Sequence, residues 1–253
     1  MNYKQFEDNI FAEWRKCSVA NGDGCELASD GLLYRGRFVY KDGYWSREPG
    51  NENAIWERAK RRVLILTKDL NDEEAWDIRA ETGRNNFSGE NNVVVSAPFY
   101  KNLMRWVYGL LTIDANGYAK KFAEIDRQDV YQPFYDQAPV ARVNCKKQVG
   151  TSSIETSVLK SYMERYKDLL VKQIAAYDAN ILLCCGASGA IKDFVAENYL
   201  TDLMKLNNWI YYSPRTHKMV IDSWHPTYTG DTHEKMYSDM MSGVEEAWSR
   251  IKL

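Results

Sequence analysis

Residues 61–72 read RRVLILTKDLND: a basic pair, the apolar run 63–66, Thr67, and an abrupt polar end at Lys68, Asp69, Asn71 and Asp72. An unbroken apolar run between polar borders is the pattern of a strand buried on both faces of a parallel sheet. In open α/β sheets, ligands collect in the crevice beyond the carboxyl ends of the strands. Lys68, Asp69 and Asn71 therefore stand where a site is expected. A polar turn, or a helix cap at Asp69, is the competing reading.

Three further stretches repeat the pattern. VARVNCKK at 140–147 ends in Asn144, Lys146 and Lys147; the run at 179–189 breaks at Gly186; KMVIDSWHPTY at 218–228 carries Asp222, Ser223, His225 and Thr227 towards its end. Amphipathic spacing predicts helices from Pro98 onward and over 158–177, 190–199 and 234–252. Strands alternating with helices predict an α/β fold: a three-layer α/β/α sandwich around a central, mainly parallel four-stranded sheet. Ahead of it, 2–17 predicts a helix, and the alternation around Asp42–Gly43 predicts a hairpin. The stretch EEAWDIR at 73–79 begins helically, and the charged stretch 119–132 reads as a connection. No internal repeat or Pro/Gly-rich linker divides the chain. One domain over 1–253 is expected, with 1–60 as an N-terminal helix and hairpin appendage.

The 253 residues suffice for a substantial core, and a hydrophobic content of 45% excludes wholesale disorder. A net charge of −2 gives no global basic field, so affinity for nucleic acid has to come from a local patch. No apolar run approaches the roughly 20 residues of a membrane span. The start lacks the apolar segment of a signal peptide. A cytoplasmic protein, off the membrane and monomeric, is expected. The five cysteines lack the paired spacing of a cluster site. Asp222, His225, Asp231 and His233 lie close in sequence without a metal motif. Neither metal nor cofactor is expected.

The ordered set TKDLND, Asn144, Cys185–Gly186 and HPTY resembles the uracil-DNA glycosylase superfamily. Its members carry an acidic first motif, an Asn closing the second strand, a glycine turn and a His-Pro motif. The segment APFYKNLMRWV at 97–107 is similar to a further family segment and follows Phe87 much as it follows the family's base-stacking Phe. The likeness spans about residues 61–250 and is nearest a poorly characterised bacterial branch. Lys68, Leu70 and Asn71–Asp72 depart from the family's first motif, which bears on uracil specificity and on activity itself.

The resemblance implies cleavage of an N-glycosidic bond to a uracil or other modified base in DNA. Such a reaction develops positive charge on the sugar and negative charge on the leaving base. Asp69 is then the anion that positions or deprotonates water, and His225 the donor to the base. Asn144 reads a base edge, and Phe87 stacks on the flipped base. Lys68, Asn71, Lys146, Gly186, Ser223 and Thr227 form the rim of the pocket, with Lys147 adding charge towards DNA. Each also has a structural reading: a turn for Asn144, a backbone bend for Gly186, packing for Phe87. The partner is DNA, single- or double-stranded, or a nucleobase-containing small molecule. Two alternatives stay open, a catalytically silent nucleic-acid-binding or defence-associated module and a nucleotide-binding hydrolase.

Overall fold

A computed structural model describes residues 1–41, 43–70, 74–86, 93–95, 97–150 and 154–253. The chain opens with helix α1 (Tyr3–Ala20), whose N-cap Asn2 accepts from the Gln5 N–H. Strand β1 (Gly31–Leu32) precedes the hairpin β2 (Phe38–Lys41) and β3 (Tyr44–Arg47); helix α2 (Glu52–Arg58) leads into β4 (Val63–Thr67). A 3-10 turn (Ile78–Ala80) and the short pair β5 (Arg84–Asn86) and β6 (Val93–Val95) follow. Next come helices α3 (Pro98–Thr112), α4 (Phe122–Ile125) and α5 (Gln128–Tyr135), and strand β7 (Val140–Asn144). The remainder is α6 (Thr156–Arg165), α7 (Lys167–Tyr177), β8 (Ile181–Cys185), α8 (Ala190–Asn198), β9 (Met204–Lys205), β10 (Ile210–Ser213), β11 (Lys218–Ser223) and α9 (His233–Ala247).

The central sheet has seven strands in the order β1-β7-β4-β8-β11-β10-β9, not the expected four. The four expected strands form its parallel centre, β7-β4-β8-β11. The additions are antiparallel edges, β1 on one side and β10 with β9 on the other. They occupy the backbone donors and acceptors that β7 and β11 would otherwise present to solvent.

Alternation along β4 explains its apolar run. Val63 and Ile65 join one core with Leu103, Trp106 and Met240, while Leu64 and Leu66 join a second with Trp14, Leu170 and Ile191. Helices thus cover both faces, α3 and α9 on one and α1, α7 and α8 on the other. Within residues 1–60, α1 and β1 join this body, while β2 and β3 form a separate two-stranded sheet. Tyr3, Ile10, Phe11 and Trp14 of α1 share the core of Leu64 and Leu66, and β1 pairs with β7.

Two helical expectations change. The expected helix over 158–177 divides at Tyr166, whose φ of −110° and ψ of 21° leave the helical region. In the stretch 73–79, the described residues are irregular before the 3-10 turn. There the Ile78 N–H donates to Ser29 O at 2.8 Å, and Arg79 pairs with both Asp77 and the buried Glu7. The long-range partners Ser29 and Glu7 outweigh the local helical tendency. Conversely, the stretch read as a charged connection contains α4 and the first turn of α5. No helix among the described residues is long and apolar enough to cross a membrane.

Candidate functional site

The carboxyl ends of β4 and β11 open onto a cavity of about 270 Å³, lined by residues including Thr67, Lys68, Asp69, Trp76, Glu81, Phe99, Arg142, His225 and Thr227. Four of the expected site residues, Lys68, Asp69, His225 and Thr227, meet there.

Asp69 lies two residues beyond the end of β4. Its carboxyl makes no hydrogen bond among the described residues. Burial raises its pKa, while the cations Lys146 and Lys68 oppose the rise. Gly150 closes over it: a β-carbon at that position would lie 2.8 Å from Asp69 Oδ2.

His225 lies two residues beyond the end of β11, and its Nδ1 is 2.7 Å from Thr227 Oγ1. The Thr227 backbone N–H also donates to Nδ1, at 3.3 Å. An Nδ1 that accepts puts the ring proton of neutral imidazole on Nε2, which has no partner among the described residues. Burial, with Lys68 and Arg142 nearby, pushes the His225 pKa down to about 4. The ring packs against Phe99, centroid to centroid 5.8 Å. Beneath it, Gly186 has φ +81°, and a β-carbon there would meet His225 Cβ at 3.0 Å. Only glycine combines that backbone angle with so close an approach.

The remaining expected residues are placed differently. Asn144 is fully buried and does not line the cavity. Its Oδ1 accepts from the Thr67 hydroxyl, and its backbone N–H donates to Asp30 at 2.7 Å. Ser223 is buried, its hydroxyl donating to Trp224 O at 3.1 Å. The Lys146 ammonium donates to the carbonyls of Gln148 and Val149, both at 2.9 Å, and lines a neighbouring cavity with Asp23 and Arg165. Lys147 offers DNA no charge. It is wholly buried, 2.6 Å from Asp30, with its ammonium beside the rings of Phe11 and Trp14. Asn71 and Phe87 lie outside the described residues.

Several lining residues carry no expectation from the sequence. Arg142 Nη1 donates to Glu81 Oε2 at 3.0 Å, and the guanidinium lies 4.6 Å from the Phe99 ring centroid. Burial raises the Glu81 pKa against the pull of Arg142. A cation inside an otherwise apolar strand was the available signal for Arg142, because a buried charge requires a partner. Phe99 and Tyr100 sit on the first turn of α3. Glu81 and Trp76 come from irregular chain with no local signature. No group of three His, Cys, Asp or Glu suited to a metal occurs among the described residues.

No family model matches the chain, and no curated protein matches it.

Proposed function

We propose that this chain is a DNA glycosylase-like hydrolase that cleaves the N-glycosidic bond of a modified base. The observation that carries the reading is the convergence of Asp69 and His225 on one cavity, with the imidazole neutral and its Nε2–H without a partner among the described residues. As the bond from C1′ to the base nitrogen breaks, positive charge grows on the sugar and its electron pair leaves with the base. Asp69 faces the first charge and accepts a proton from the water that attacks C1′. His225 donates from Nε2 to an oxygen of the departing base, where the second charge gathers. Trp76, Phe99 and Tyr100 offer aromatic faces for an extruded base, whose unstacking costs a few kcal/mol. Lys68 adds a cation at the same rim.

The net charge of −2 favours a second reading, hydrolysis of free nucleosides, because such a substrate needs no basic field. One assay separates the two. Oligonucleotides containing uracil, hypoxanthine, xanthine or oxidised pyrimidines, single- and double-stranded, are tested for abasic sites beside the corresponding free deoxynucleosides. Abasic sites that disappear in Asp69→Asn and His225→Ala support the glycosylase. Release from nucleosides alone supports the second reading. No release from any substrate by folded protein rejects both.

A further inference from the structure

Under the glycosylase-like reading, a base in the cavity needs an acceptor and a donor along its ring edge. The family resemblance assigns that part to Asn144, yet Asn144 is fully buried, with its side-chain oxygen held by Thr67. It does not reach the cavity wall. Glu81 and Arg142 do, beside Asp69 and His225.

We propose that Glu81 and Arg142 read the base, with Glu81 accepting a ring N–H and Arg142 donating to the carbonyl next to it. The inference rests on the base-binding reading of this cavity. The two side chains are preorganised. Arg142 spends Nη1 on Glu81 at 3.0 Å and rests against Phe99, which fixes its plane. Its Nε is buried without a partner, and Nη2 makes no hydrogen bond among the described residues. Glu81 keeps 24% of its side chain exposed. A carboxylate has about four acceptor sites, so the bonds from Arg142 and Trp76 leave room for a further donor.

The chemistry sets a preference. An ionised carboxylate accepts and cannot donate, and a guanidinium donates and cannot accept. Their pairing suits an edge where N–H adjoins C=O, as in uracil, xanthine and hypoxanthine. Cytosine and adenine present a ring nitrogen lone pair and an amino group instead, which set acceptor against acceptor and donor against donor. A well-made two-point contact of this kind discriminates by about 1–3 kcal/mol. If Glu81 served only to neutralise Arg142, its loss would weaken every base alike.

The experiment compares wild type, Glu81→Gln and Glu81→Asp. Binding of uracil, xanthine, cytosine and adenine deoxynucleosides is measured by calorimetry, with circular dichroism to verify folding, and abasic-site formation is followed in parallel. The expected result is a wild-type preference for uracil and xanthine. In Glu81→Gln the uracil-to-cytosine affinity ratio should fall about tenfold or more, because the new amide can donate to the cytosine ring nitrogen. Glu81→Asp, which keeps the charge and withdraws it, should weaken uracil without admitting cytosine. Equal weakening for all four bases, with cleavage intact and dependent on Asp69, overturns this proposal and leaves the glycosylase reading standing. Discrimination that follows Glu81 without cleavage upholds this proposal and removes the glycosylase. Binding of none of the four overturns the base-reading role.

Discussion

The side-chain amide of Asn102 donates to the carbonyl of Pro226 at 2.7 Å, tying α3 to the loop that carries His225. Asn102 is itself buried, and its oxygen accepts from Arg105 at 3.4 Å; Arg105 pairs in turn with Asp126. His225 is thus positioned through an adjoining chain of polar contacts rather than by its own strand alone.

Asn102→Ala should therefore destabilise the protein by about 1–3 kcal/mol, the loss expected when a buried acceptor goes unpaired. A urea titration measures that loss. The positional consequence is read separately from the imidazole nitrogen shifts of His225, which should lose the single-tautomer signature of the wild type. Unchanged shifts alongside lowered stability would assign Asn102 to packing only.

His225 makes the protein sensitive to acid. Its ordinary pKa of 6.5 is pushed down to about 4 in the folded chain. Between those values the unfolded chain takes up a proton that the native imidazole refuses, so stability is eroded as pH falls from 6.5 towards 4. Above 6.5 the ring is neutral in both states and its contribution is constant. Stability measured against pH for wild type and His225→Gln should diverge only within that window. A midpoint near 6.5 for the His225 ring by NMR would contradict the neutral donor assigned to it.

Lys147 and Lys68 should respond in opposite ways. Lys147→Met leaves Asp30 buried without its counter-ion, retaining the neutral donors Gln173 Nε2 at 2.8 Å and the Asn144 N–H. Breaking such a pair costs about 3–5 kcal/mol. The salt dependence of any DNA binding should stay the same. Lys68→Gln should leave stability nearly unchanged and, where Lys68 meets a phosphate, lower the salt slope by about 1. Fluorescence titrations at several salt concentrations measure the slope.

The parallel centre of the sheet is legible in sequence because β4, β7, β8 and β11 are buried on both faces, which leaves mostly apolar runs, interrupted in β7 by Arg142. Its margins are not. β1 is two residues long and β9 is an exposed Met–Lys, too short for either to show a period. The division at Tyr166 is hidden because apolar spacing continues across it. In the site, Asp69 and His225 are legible as polar residues just past strand ends. Glu81 and Trp76 have no such mark. Isolated bridges from Ser29 to Asp77 and from Ser46 to Glu81 hold their segment, and contacts over that sequence distance leave no local pattern. Asn144 shows the reverse failure. Its position at the end of β7 is visible, but the hydroxyl of Thr67 that claims its side chain belongs to another strand.

Arg142 stands in the middle of β7, directly between Ile65 of β4 and Gly31 of β1. Replacing it disturbs the centre of the sheet, whereas Glu81 and Trp76 hang from irregular chain outside the sheet, held by isolated bridges. The two walls of the cavity therefore differ in how freely descent can rewrite them. Divergence among relatives should gather in the segment around Trp76 and Glu81, while the arginine opposite stays as the inherited constant against which new preferences are tuned.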